Sequence, residues 1–338
     1  MKIDSLFQPR DLVDAAATAR EMEGMGFDGL WTVEAQHDPF LPLAAAAPAT
    51  KTATLGTAIA VAFPRSPMLL AHTAWDLAAY SGGRFILGLG TQVKGHNERR
   101  FSVKWESPGK KLREVILSIR AIWDCWHNGT PLDFRGEFFQ FTLMTPFFSP
   151  GPIEHPKVPI FIAGVNPYVT RLAGELGDGF HIHPFHSPRF IRERILPEIE
   201  AGAAKAGRAR SALELSTQEF IGVGESRAEI AAEREKIRQQ ISFYASTKAY
   251  RPVLDVHGWG DLAPSLGRLA AQGEWDKMAR EVTDEMVDAY SVAGGPDEIA
   301  PKLRERYDGL LDRVSAYFPP VTDAEKARWA KIVRALKS

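Results

Sequence analysis

The stretch that most constrains the fold is residues 52–90, TATLGTAIAVAFPRSPMLLAHTAWDLAAYSGGRFILGLG. Residues 55–63 are small, apolar and often β-branched, in a run too short for most helices, so a buried parallel strand is expected there. Pro64 and Pro67 bracket a turn and start a helix over residues 68–80. Gly82 and Gly83 end it, because glycine tolerates the left-handed backbone that helix C-termini favour. A second strand follows at residues 85–89. Strand, helix and strand joined by short turns make a right-handed crossover, and a chain built on one needs a sheet with helices packed on it.

The same alternation runs along the rest of the chain. Strands are expected at residues 2–7, 27–33, 159–163, 180–183, 213–223 and 313–318. Asp11 caps the first helix, in which Leu12, Ala16, Ala19 and Met22 recur at helical spacing. An alanine-rich helix is expected at residues 44–50 and a long polar loop at 91–110. Leu112, Val115, Ile116, Ile119, Ile122, Trp123 and Trp126 form one stripe that helix packing explains fully. Residues 130–144 alternate around Arg135-Gly136 as a hairpin, and a proline-rich connector follows, giving an insertion at about 128–158. Helices follow at 168–176, 187–206 and from Arg227 onward, and Gly294-Gly295-Pro296 opens a final one. Residues 244–290 read as an insertion or lid. Eight strands alternating with helices indicate a single (β/α)8 TIM barrel over residues 1–338, with its insertions on the C-terminal face.

Composition narrows the partners. The 41 basic and 42 acidic side chains nearly cancel, so no global field favours nucleic acid. No apolar run approaches the ~20 residues of a membrane span, and MKIDSLFQPR lacks a signal-peptide core. The lone Cys125, between Trp123 and Trp126, reads as a buried inert thiol and fits a cytoplasmic location. Gly88-Leu89-Gly90 is no dinucleotide fingerprint, because Val93 stands where the third glycine is needed.

LGTAIAVAFPRSPMLLAHTAWDLAAYSGGRFILGLGTQ, together with GFDGLWTVE and PIFIAGVNPYVTRLAGELGDGF, resembles the luciferase-like flavin and deazaflavin oxidoreductases, in the family's order and over most of residues 1–225. GHNERRFSVKWESP is similar to the branch that uses coenzyme F420, an 8-hydroxy-5-deazaflavin. The resemblance implies hydride transfer between F420 and a small organic substrate, and often a homodimer. FMN-dependent monooxygenase chemistry on the same fold is the alternative.

The resemblance also carries roles to particular residues. Ala58-Ile59 falls where deazaflavin members carry a bulge with a non-proline cis peptide behind the cofactor ring. Ala163, Gly164, Val165 and Asn166 fall at the phosphate-binding turn, although members often have two glycines in place of Val165 and Asn166. Gly90, Asn97 and His181 complete the expected cofactor contacts. Glu34 matches a family acid that a histidine directly follows; here Ala35 follows, and His37 is the nearest imidazole. Glu34, His37 and His183 are thus the catalytic candidates. His181 and His183 alternate on one strand, a pattern that also occurs in metal-dependent hydrolases, with Glu34 as a further ligand. The loss of the family histidine at Ala35 leaves open a barrel that binds cofactor without turnover. Phe139, Phe147, Phe148 and Trp259 suggest an aromatic mouth, with core packing as the competing reading.

Overall fold

The computed structural model describes residues 1–338. Eight parallel strands close into a barrel: β1 (Lys2–Leu6), β2 (Gly29–Thr32), β3 (Thr54–Thr57), β4 (Phe85–Gly90), β5 (Ile160–Ala163), β6 (Gly179–Ile182), β7 (Glu214–Val223) and β8 (Arg313–Ala316). Neighbours pair in sequence order, and β8 closes on β1. The expected TIM barrel is the fold of this chain. No helix is long and apolar enough to cross a membrane.

Alternation along each strand divides the side chains between two cores. Ile3, Leu30, Leu55, Leu87, Ile162, Phe180, Leu215 and Val314 face outward into the layer between strands and helices. That layer also receives the stripe of helix Pro108–Asn128, including Trp123 and Trp126, which pack around Trp75 of helix Pro67–Tyr80. Leu6, Trp31, Ile86 and Phe161 face inward as a small separate cluster that plugs the barrel. Each fully buried aliphatic or aromatic side chain contributes roughly 1.5–3 kcal/mol of transfer free energy, so the outer layer dominates stability. The inner plug sets the floor of whatever space lies above it.

Local chemistry explains the helix ends. Asp11 accepts a hydrogen bond from the Asp14 N–H at 3.0 Å, and Ser66 accepts one from Met68 before Pro67 opens its helix. Gly82 and Gly83 take φ of 62° and 78° after that helix, as a left-handed stop requires.

Several elements differ from expectation. The strand expected over 55–63 is broken: β3 ends at Thr57 and pairing resumes only at Ala60–Val61. The helix expected at 44–50 starts earlier, at Leu41, because Asp38 accepts from the Phe40 and Leu41 N–H groups. The polar loop after β4 contains helix Lys94–Arg99. The hairpin shortens to Phe134–Arg135 against Gln140–Phe141, since Glu114 takes up the N–H groups of Glu137, Phe138 and Phe139 at its tip. Residues 244–290 are a run of short helices that leads into an extra strand, Ser291–Gly294, paired with the end of β7. A last helix, Asp323–Lys337, carries a Thr322/Glu325 capping box.

Candidate functional site

A cavity of about 960 Å³ opens at the C-terminal end of the barrel, where (β/α)8 enzymes carry their sites. Its wall is set by the break in β3. Gly56 faces Ile86, yet Ala60 faces Leu89, so four residues on one strand span three on the other. The extra residue makes a bulge, and the Ala58-Ile59 peptide bond within it is cis. Ala58 and Ile59 line the cavity. Thr57 replaces the lost ladder with its side chain: its hydroxyl donates to the Gly88 carbonyl at 2.7 Å and accepts from the Gly88 N–H at 2.9 Å.

Opposite the bulge, register partners form a row at one level: Gly90, Ala163, His181, Ser216 and Arg313. The first two are small. A Cβ on Gly90 would come within 2.9 Å of Ile59 Cγ1 and Cδ1, so glycine there makes room for the Ile59 side chain, which packs over it at the cavity wall. The last three are polar. His181 Nδ1 lies 2.6 Å from Ser216 Oγ, its ring packs edge-on against Trp31, and its Nε2 is buried without a partner. Below, Arg313 forks onto both oxygens of Asp4 at 2.7 and 3.0 Å, and the Trp31 indole donates to Asp4 at 2.8 Å. Burial pushes the Asp4 carboxyl up, against the downward pull of Arg313 and Trp31. Burial also works against the Arg313 charge, but Asp4 and Glu214 hold its pKa above the ordinary value.

Above the row, Gly164, Val165 and Asn166 lead into helix Pro167–Leu176 along the cavity wall. Asn166 caps this helix, its side-chain oxygen accepting from Val169 N–H at 3.0 Å. The turn therefore combines a helix N-terminus with exposed backbone, and Lys94 and His96 line the same cavity. On the other side His183, immediately after β6, stacks on Tyr250 at 4.3 Å and meets Tyr244 edge-on. Its Nδ1 accepts from the Phe185 N–H at 3.1 Å, which leaves the ring proton of the neutral form on Nε2. Burial lowers the His181 and His183 pKa values to about 3, assisted by Arg313 and His186 respectively. Both rings are neutral across the physiological range.

The expected residues do not all converge. Ala58, Ile59, Gly90, Ala163, Gly164, Val165, Asn166, His181 and His183 line the cavity together. Glu34, His37 and Asn97 stand outside its lining. Glu34 is engaged by Arg65 and the Val61 N–H, and His37 lies exposed on the loop after β2. Asn97 is fully buried and donates to the Thr91 and Val93 carbonyls, tying down the loop after β4. Ala35, where the family histidine would stand, lines the cavity, and its carbonyl accepts from Arg100. None of Phe139, Phe147, Phe148 and Trp259 reaches the cavity; its aromatic lining is Trp31, Trp105, Phe243, Tyr244 and Tyr250. No cluster of three or more His, Cys, Asp or Glu side chains is placed to hold a metal ion.

Sequence reasoning missed Asp4, Ser216, Arg313 and Arg65. An acid in the middle of the apolar first strand, KIDSLF, and a base opening the eighth strand were the available signal. Both had to face inward and pair.

The sequence profile of luciferase-like monooxygenases matches residues 4–313. An uncharacterised protein of Mycobacterium tuberculosis is 48% identical over 318 residues, 94% of this chain and 93% of that one. A 5,10-methylenetetrahydromethanopterin reductase of Archaeoglobus fulgidus is 31% identical over 312 residues, 90% of this chain and 89% of that one. The coenzyme F420 dependent tetrahydromethanopterin reductase of Methanopyrus kandleri shares the fold, with a TM-score of 0.79 at 20% identity over 99% of this chain and 98% of that one. The chain belongs to the luciferase-like monooxygenase family of oxidoreductases.

Proposed function

We propose that the cavity holds coenzyme F420 and that the protein moves a hydride between this deazaflavin and a small organic substrate. The observation that carries the reading is the cavity of about 960 Å³, walled by the Ala58-Ile59 bulge and the small residues Gly90 and Ala163 and reaching a helix N-terminus. A flat ring fits against backbone and small side chains where larger ones would fill the space. In this reading Ala58, Ile59, Gly90 and Ala163 would hold the ring. Gly164, Val165 and Asn166 would hold the phosphate through unpaired N–H groups and the helix dipole. When bound, the deazaflavin supplies the hydride chemistry, and the protein supplies position and a dry, shaped site.

The chain's own polar groups define the rest. His183, neutral with its proton on Nε2, would donate a hydrogen bond to a substrate oxygen without giving up the proton. His181, also neutral, holds Ser216 in place at the floor. Asp4 is consumed by Arg313 and Trp31 and offers no free carboxylate. The test is a titration with oxidised F420 and, separately, FMN, following quenching of cofactor fluorescence. Saturable quenching of F420 at micromolar protein, with little or none of FMN, is expected. Saturation by FMN alone would favour the monooxygenase reading, and no quenching of either would defeat both.

A further inference from the structure

We propose that Glu34 is a positioning residue: it braces the cavity-wall bulge from behind and does not act on the substrate. The inference rests on the cofactor reading above. A bulge of one extra residue strips two peptide groups of their ladder partners, and buried peptide groups need replacements. Glu34 supplies both. Its backbone N–H donates to the Ile59 carbonyl at 3.2 Å, and its Oε2 accepts from the Val61 N–H at 2.6 Å. One residue of the β2 loop therefore grips the bulge on either side of Ala60.

The carboxylate is itself held. Arg65 Nη1 donates to Oε1 at 2.9 Å and Oε2 at 2.7 Å, and also reaches the Val61 carbonyl at 3.2 Å. Arg65 Nη2 pairs with Asp38 at 3.0 Å, and Asp38 caps the turn at Phe40 and Leu41. The Glu34 side chain is only 7% exposed and lies outside the cavity lining, whereas Ala58 and Ile59 are on it. The acid that family resemblance offers as a catalytic candidate thus has both oxygens engaged, by the Val61 N–H and Arg65. The β2 loop and the β3 bulge become one rigid unit, and the shape of that unit is the wall on which a ring would rest.

The experiment compares wild type, Glu34→Ala, Glu34→Gln and Arg65→Met by three readouts. These are the Kd for oxidised F420, the visible absorption band of bound F420, and hydrogen–deuterium exchange of peptides covering residues 58–62. Glu34→Ala should weaken F420 binding about tenfold, move the bound band toward that of free cofactor, and speed exchange at 58–62 even without ligand. Glu34→Gln keeps an acceptor for Val61 and should bind within about threefold of wild type. If Glu34→Ala does not fold, Arg65→Met carries the test, with a Kd raised about threefold and faster exchange. Wild-type Kd, band and exchange in Glu34→Ala, or in Arg65→Met, would overturn the bracing role. If wild-type protein binds no F420, the cofactor reading falls, and exchange at 58–62 alone decides the bracing role: wild-type exchange in Glu34→Ala would overturn it.

Discussion

Acidification from pH 7 to pH 5 should destabilise this protein, and the cause can be traced to buried imidazoles. His181 and His186 are both buried, and burial lowers each to about 3 from 6.5, with Arg313 and Arg306 adding to it. A base whose folded pKa is depressed contributes stability above its unfolded value and loses it as pH falls. In the unfolded chain each imidazole takes a proton near pH 6.5, and the folded protein cannot follow until about pH 3. By pH 5 the loss is on the order of 2 kcal/mol per ring, or about 4 kcal/mol for the two. Glu219 works the other way. Burial raises it from 4.5 to about 7, against the pull of Arg306 and Tyr307, so the folded state gains a proton first on acidification. That returns about 2 kcal/mol over the same interval. The net loss is therefore at least about 2 kcal/mol, and His183, also lowered to about 3, adds up to about another 2 kcal/mol in the same direction. Urea unfolding followed by fluorescence of the eight tryptophans measures it. Glu219→Gln removes the offset, so the variant should lose about 2 kcal/mol more than wild type over the interval. Equal stability at the two pH values in both proteins would refute the assignment of neutral buried rings.

Two further outcomes follow from the cavity wall. A Cβ on Gly88 would fall on the Thr57 carbonyl oxygen and lie 3.0 Å from His181 Nε2. Gly88→Ala should therefore cost about 3 kcal/mol in urea unfolding, since backbone cannot move aside cheaply; a loss within experimental error of zero would show that the bulge is soft. Ala35 lines the cavity, so Ala35→His should add an ionisation near pH ~6.5 to the pH dependence of F420 binding. A profile superimposable on wild type would place residue 35 away from the bound ring.

How much of this was legible in the sequence depended on whether the signal was local. The eight barrel strands were readable because each is a short apolar run between turn residues, and Asp11 and the Gly82-Gly83 stop were readable because capping is local chemistry. The break at 58–59 was not readable from pattern, since LGTAIAVAF is mostly apolar, its one polar residue, Thr57, is common in strands, and it has no proline; only family resemblance pointed to it. Ser291–Gly294 was missed because SVAG has little strand signature and pairs with β7 only through a contact about 70 residues away in sequence. Asn97 shows the same limit in the site. As a polar residue in a polar segment it reads as a ligand contact, whereas the fold buries it among the carbonyls of its own loop. Helix Lys94–Arg99 escaped for the same reason, lacking an apolar stripe of its own.

The placement of charge joins these observations into one argument about the site. Two ionised pairs lie beneath or behind the cavity. Asp4 and Arg313 sit under Trp31, and Glu34 and Arg65 behind the bulge. Each pair ties two segments together, and neither points a bare charge into the cavity. Apart from Asp4, which Arg313 and Trp31 occupy, and Lys94 at the rim, polar side chains on the cavity lining such as Ser216, Gln218, His181 and His183 are neutral. Polar groups that are paired or neutral reorganise little when a ligand's electron density shifts, which suits the hydride transfer proposed above. The helix N-terminus at Gly164–Asn166, together with Lys94 at the rim, is then where the anionic tail of the proposed cofactor would be compensated.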